Sequence, residues 1–321
     1  MIDFRYHLVS IVSIFLALAV GIVLGAGPLE GELGDTLNKE VAGLRADKAD
    51  LNNQLDTARA GTEAQDSYIA LTSPQVLAGI LENRRVALLV LPGSDAAVAE
   101  ATAATLESAG STVVSTTTVG EAWVSSDDAS ARARDAVVQE AAATATVDIA
   151  ESGAVSPRDV LLASLLTDAG GDRSDPARVT ASRTALEALA GAELIEIDTE
   201  DFADADLVVV VSGEVTDGDP EAQQAAADHW VDLVIALDAR SSGAVVAGEA
   251  STVGDGVAVL DVLRNDATAT RGVSSVDNAG GAMGQASVAH ALLAQSSGEV
   301  GQYGLAAGAD APYAPLPTRE P

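Results

Sequence analysis

The 321-residue chain sets 17 Lys and Arg against 48 Asp and Glu, a net charge of −31, and contains no cysteine. So acidic a surface repels phosphate backbones, which excludes nucleic-acid binding, and it disfavours docking on anionic lipid beyond an inserted anchor. Without cysteine there can be no disulfide, no thiolate metal site, no cysteine nucleophile and no lipidated cysteine anchor.

Residues 1–7 read as a cytoplasmic N-terminus and residues 8–27 as a transmembrane helix. Nothing from Leu8 to Gly27 is charged, and twelve of these positions are Leu, Ile, Val or Phe. About 20 helical residues span roughly 30 Å, the thickness of a bilayer's hydrocarbon core. A helix of a soluble core rarely stays apolar on every face for so long. A cleaved signal peptide is the rival reading. Gly25-Ala26-Gly27 is small enough for a peptidase, but Pro28 would follow the cut, and the apolar run exceeds a usual signal core. Arg5 and His7 precede the run, whereas Glu30, Glu32 and Asp35 follow it, with no cation until Lys39. The positive-inside bias therefore puts the N-terminus in the cytoplasm and the bulk of the chain outside the plasma membrane. Within the span, Ala17, Gly21 and Gly25 recur every four residues and form a smooth face on which two helices can approach closely.

Residues 33–72 read as a coiled-coil stalk. Leu37, Val41, Leu44, Lys48, Leu51, Leu55 and Ala58 step alternately by four and three, a heptad seam. Glu40 and Arg45 fall at flanking positions where they would meet across a parallel pair. Lys48 in the seam favours a low oligomer number, in which its ammonium reaches water. Two chains leaving one membrane face share direction and proximity, so a homodimer is expected. Residues 37–71 would rise roughly 50 Å as a helix. An amphipathic helix packed on its own globular domain is the other reading of the same pattern.

Residues 75–305 read as an open, mostly parallel α/β domain. Ser73-Pro74 should end the stalk, because the residue before a proline is driven out of helical geometry, and a helix is expected over 75–83. Arg85–Leu91 and Asp206–Gly213 are continuous apolar runs, the mark of strands buried on both faces. Strands are also expected at Ser111–Val119, Leu194–Ile197, Gly243–Gly248 and Gly272–Val276. Between them lie helical stretches at Ala96–Ala109, Ala129–Ala145, Arg158–Asp168, Pro176–Leu189, Pro220–Arg240, Val257–Arg264 and Gly284–Gln295. Asp175 precedes a proline at the first helical position and is placed to cap that helix. The alternation implies a parallel sheet covered on both faces. Residues 306–321, with Pro312, Pro315, Pro317 and Pro321, read as a disordered Pro-rich tail.

Two segments carry a family resemblance. Met1-Ile2-Asp3-Phe4-Arg5-Tyr6-His7, with the apolar run through Ile22-Val23-Leu24-Gly25-Ala26-Gly27-Pro28-Leu29, resembles the actinobacterial MctB/SteB family, whose members are labelled copper transporters. Gly301-Gln302-Tyr303-Gly304 and Gly308-Ala309-Asp310-Ala311-Pro312 are similar to that family's closing segment. The layout of one span, a helical stalk and one α/β domain fits over the whole length. The resemblance implies a role in copper transport or homeostasis. For other members it also implies a SteA-like partner and control of cell-wall hydrolysis during division.

The residues themselves point to no enzyme. There is no G-x-S-x-G elbow, phosphate-binding Walker loop or H-E-x-x-H motif, and His229 and His290 sit in no catalytic pattern. Cu(I) favours thiolate and thioether ligands and Cu(II) favours imidazole. The chain offers two methionines and three histidines. Met283 and His290, seven apart, could supply two ligands from one helix face, and no third is visible. No cofactor is therefore expected. Gly280, Gly281 and Gly284 precede a helix and could hold an anion at its N-terminus, without the spacing of a dinucleotide loop. Ligands of open parallel sheets collect at the carboxyl ends of strands. Here these are Gly93-Ser94-Asp95, Ser212-Gly213-Glu214 and Gly248-Glu249-Ala250, where a pocket or a partner surface is expected.

Overall fold

A computed structural model describes residues 4–26, 29–149, 155–167, 175–198, 202–249 and 256–316. The chain divides into two units, Met1–Gln65 and Asp66–Pro321.

The first unit is helical throughout its described length. α1 (Phe4–Ala26) contains one stretch, Phe4–Val23, long and apolar enough to cross a membrane, and none of that stretch is buried. Leu8, Val9, Ile11, Ile14 and Leu16 point in different directions around it and all are exposed. α2 (Leu29–Leu77) begins in this unit, and its hydroxyl side chains bond back to the preceding turn, as Thr57 Oγ1 does to the Asn53 carbonyl at 2.8 Å. The expected junction at Gly27 and Pro28 lies outside the described residues.

In the second unit, α2 does not stop at Ser73-Pro74 as the sequence suggests. It runs through Pro74 to Leu77, and turns at residues 78–83 replace the helix expected there. Two contributions offset the hydrogen bond that proline removes. Thr72 and Ser73 hydroxyls donate to the carbonyls of Tyr68 and Ile69, at 2.9 and 2.7 Å. Beyond the proline, Leu77 and Leu81 are fully buried, and burying each stabilises by about 2 kcal/mol, comparable with the proline penalty.

The sheet then opens with β1 (Arg85–Val90), α3 (Ala96–Ser108) and β2 (Thr112–Val119). A short 3-10 turn (Glu121–Trp123) leads into α4 (Asp128–Ala145), α5 (Pro157–Leu166) and α6 (Pro176–Gly191). Next come β3 (Ile195–Ile197), β4 (Leu207–Val211), β5 (Glu214–Val215), α7 (Pro220–Ala239) and β6 (Ala244–Ala247). The chain closes through β7 (Val257–Ala258), α8 (Val259–Asn265), α9 (Ala269–Gly272), β8 (Ser274–Val276), α10 (Ala282–Gln295) and β9 (Gln302–Tyr303). Seven strands form one sheet in the order β3-β2-β1-β4-β6-β8-β9. Every pairing within it is parallel except β2 with β3. β5 and β7 make a separate antiparallel pair.

The continuous apolar runs of β1 and β4 follow from cover on both sides. Ala87, Leu89, Val208 and Val210 join a core with α4 to α9, while Val86, Leu88, Leu207 and Val209 join a second core with α3, α10, Leu77 and Leu81. Aspartates start four of the helices. Asp95, Asp127, Asp175 and Asp219 each accept backbone N–H bonds of the first turn, and Asp175 and Asp219 are each followed by proline at the first helical position.

Residues 306–316, which composition assigns to a disordered tail, are mostly exposed but are tied to the domain at two points. Gly304 N donates to the Ala311 carbonyl at 2.9 Å, and Ala314 is 2% exposed beside Ser287. The prolines permit this, because an extended strap needs few backbone donors of its own.

Candidate functional site

The connections from β1 to β2 and from β4 to β6 leave in opposite directions along the sheet, so the carboxyl ends of neighbouring β1 and β4 form its topological switch point. Two glycines there let the backbones touch. Gly93 has φ +75°, and a Cβ on Gly93 or Gly213 would run into the carbonyl oxygen of Glu214 or of Gly93 respectively. Above this crossing is a cavity of about 550 Å³ lined by Gly93, Glu121, Ser125, Glu214, Asp217 and Trp230, among others. The strand ends singled out in the sequence at Gly93 and Glu214 thus do meet at one pocket. Among the described residues, three carboxylates and no Lys, Arg or His line it, an electrostatic wall that repels anions.

One wall of this pocket is held from behind by buried polar groups. Arg134, 7% exposed, donates through Nη1 to the carbonyls of Trp123 and Ser125 at 3.1 and 3.0 Å, fixing the turn that carries Glu121. The Trp123 indole donates to Asp159 Oδ1 at 2.8 Å. Asp159 is fully buried; burial pushes its carboxyl up to about 6, against the opposing pull of Arg158 at 3.7 Å and of the indole. Its Oδ2 has no hydrogen-bond partner. His229 lies at the surface of α7, where partial desolvation and then the charge of Arg158 lower its basicity. No nucleophile and base are hydrogen-bonded to each other around the cavity among the described residues.

The closing motif has a structural reason. Arg264 and Asp277, both buried, pair at 2.6 Å. Asp277 also accepts from the N–H groups of Leu305 and Ala306, and Arg264 donates to the Tyr303 carbonyl at 2.7 Å. Gly304 has φ +131°, and a Cβ there would strike the Asp277 carboxylate. Gln302 accepts from Ser275 and donates to the Val273 carbonyl, at 2.6 and 2.9 Å. The Gly-Gln-Tyr-Gly sequence is therefore a lock on β8. Arg264, Asp277, Arg134, Trp123 and Asp159 left no readable pattern, because their partners lie far along the chain.

The anion position expected before α10 is occupied by the chain's own carboxylates. Glu249 lies against Gly280 and Asp66 against Gly281, the N-cap of α10, so negative charge already meets the positive end of that helix. Met283 and His290, by contrast, are brought to one cavity. About 200 Å³ in volume, it lies between α10, residues 69–77 of α2 and residues 313–316. His290 is 5% exposed, its Nδ1 has no hydrogen-bond partner, and burial lowers its basicity.

The helix-packing residues Ala17, Gly21 and Gly25 are exposed on α1, and a Cβ on either glycine would meet open space. On α2 the seam residues Leu37, Val41, Leu44, Leu51 and Leu55 are between 39% and 68% exposed, and Lys48 and Ala58 are exposed beside them. No group of three or more His, Asp or Glu among the described residues is gathered to hold a metal ion.

The family described as "Copper transport outer membrane protein, MctB" matches residues 1–314. Proteins named "Copper transporter MctB" from Mycobacterium bovis and Mycobacterium tuberculosis are each 28% identical over 320 residues, covering 96% of this chain and 98% of their own length. The Mycobacterium leprae protein of the same name is 28% identical over 327 residues, with the same coverage.

Proposed function

Given that the chain belongs to the MctB family, we propose that it is a single-pass, membrane-anchored envelope protein that serves copper transport or homeostasis as a non-catalytic homodimeric scaffold. The observation that carries this reading is the row of exposed leucines and valine on α2, from Leu37 to Leu55. Apolar side chains at heptad spacing gain most by meeting their own copies. α1 supports it as the anchor, being apolar on all faces and unburied. The family description names an outer membrane. A single apolar helix with cations before it and carboxylates after it fits insertion in the plasma membrane, N-terminus inside, and the acidic α/β unit then lies outside.

The absence of cysteine makes a test of the dimer clean, since any introduced thiol is the only one. Leu51→Cys, at the seam, should give a disulfide-linked dimer in oxidised membranes, and Asn53→Cys, on the opposite face of the helix, should give little. Equal cross-linking at both positions, or none at Leu51, would reject the parallel pair.

The second reading is a regulator of cell-wall hydrolysis and division acting through a SteA-like partner. It is favoured by the scarcity of metal donors, with three histidines and no cysteine in the whole chain. A deletion strain with separation defects and normal copper tolerance would select it. Copper sensitivity with normal separation would select the first.

A further inference from the structure

We propose that the cavity at the sheet's switch point binds a small hydroxylated amine, of the amino-sugar class. The proposal goes beyond the scaffold reading and does not rest on it. The three carboxylates around the cavity come from separate elements, and each sits on backbone that is tied down. Glu121 rides on the turn that Arg134 holds by the carbonyls of Trp123 and Ser125. Glu214 belongs to β5, which is paired with β7. Asp217 lies in a loop fixed by Gln223, a side chain 5% exposed whose amide donates to the carbonyls of Thr216 and Gly218 at 2.9 and 3.2 Å. Such a wall is set in advance of any ligand, and a cation brought between its carboxylates offsets their mutual repulsion.

The rim decides the charge and size of the ligand. α4 and α7 both begin beside the cavity, and a helix N-terminus ordinarily suits an anion. Here Asp127 already accepts from the N–H groups of Ala129 and Ser130, and Asp219 from those of Glu221 and Ala222. An anion would meet occupied donors as well as the carboxylates. A bare metal ion fits no better, because among the described residues the carboxylates are not gathered into a group that could hold one. What suits the wall is a cation of molecular size, whose amines reach separate carboxylates. The floor supplies the rest of the recognition. Trp230 lines it while only 1% exposed, and its indole N–H enters none of the hydrogen bonds among the described residues. A buried indole N–H ordinarily finds an acceptor, which a hydroxyl oxygen of the ligand would provide. The hydroxyls of Ser126 and Thr216 on the walls can exchange hydrogen bonds with further ligand hydroxyls, and Val124 and Val215 cover its carbon faces. The volume of about 550 Å³ is that of a small-molecule site.

The test is calorimetric titration of the full chain in detergent with three probes: the glucosamine disaccharide with both amines free, its N-acetylated form, and spermidine. The free-amine disaccharide should bind at one equivalent per chain. The acetylated form keeps the hydroxyls and loses the charge, and should bind more than about tenfold more weakly. Spermidine keeps the charge and loses the hydroxyls, and should be weaker by about tenfold. Glu121→Gln and Asp217→Asn, both at exposed positions, should each weaken the disaccharide by about three- to fivefold. Trp230→Phe, which removes the N–H and keeps an apolar ring, should do so by about fivefold. Glu100→Gln, on α3 and outside the cavity lining, should leave binding unchanged. Failure of the free-amine disaccharide to bind, equal binding of the acetylated form, or undiminished binding by both carboxylate variants overturns the site. Spermidine binding as tightly as the disaccharide overturns the assignment to a hydroxylated ligand. Should Trp230→Phe unfold, the two surface carboxylates still decide. A chain that cross-links at Leu51→Cys yet binds no disaccharide loses this site and keeps the scaffold.

Discussion

The two units use the same apolar residues to opposite ends. In Asp66–Pro321, leucine, valine and alanine fill two cores, one on each side of a seven-stranded sheet, and most of the large ones are inaccessible to water. In Met1–Gln65, every large apolar side chain with a described exposure stands open, from Phe4 at 77% to Val41 at 39%. Soluble monomers rarely leave so long a row of apolar side chains uncovered. Within the described chain these side chains find no cover, and the anchor and homodimer proposed above are what would supply it.

The contrast breaks most sharply where a buried charge loses its partner. Arg264→Ala would strand Asp277 in the core, and a loss of about 3 to 5 kcal/mol is expected in denaturant unfolding of the second unit. A loss below about 1 kcal/mol would mean that water reaches Asp277 and that the pair is no lock.

Leucine truncation measures the contrast directly. Leu89→Ala, at a position fully buried in β1, should cost about 3 kcal/mol of unfolding free energy. Leu51→Ala, 63% exposed, should leave that unfolding unchanged and weaken only self-association. Similar effects of the two on unfolding would show that the seam packs within its own chain.

A smaller effect is set by pH. Asp159 is raised from 3.8 to about 6 in the folded state, so between these values the folded protein holds a proton that the unfolded chain releases. Stability from this carboxyl is therefore full below about pH 4 and falls as pH rises to about 6. Asp159→Asn keeps an acceptor for Trp123 and should flatten this part of the stability-pH curve. An unchanged slope in the variant would assign the dependence to other groups.

How much of this could be read beforehand depends on how local the cause is. β1 and β4 are legible because cover on both faces writes an unbroken apolar run into each. Asp175 is legible because a cap and its proline are neighbours. The course of α2 past Pro74 is not, because Leu77 and Leu81 repay it through contacts with α3 and α10 that no local pattern shows. β9 spans two residues and exists through its pairing with β8. At the sites, the strand-end rule found the pocket at Gly93 and Glu214, and Met283 and His290 were visible as a pair only because they share a helix. Asp159 could not be found from sequence, since its burial and its contact with Trp123 are facts of assembly.

The strap that ends the described chain also sets an order on biosynthesis. Arg264 and Asp277 leave the ribosome some 25 to 40 residues before the Tyr303 carbonyl and the Leu305 and Ala306 amides that complete their bonding. Until those last residues emerge, the sheet has a raw edge at β8 and the ion pair stays wet. Pairing of β9 with β8, the last pairing of the described sheet to become available, therefore completes the domain late in synthesis.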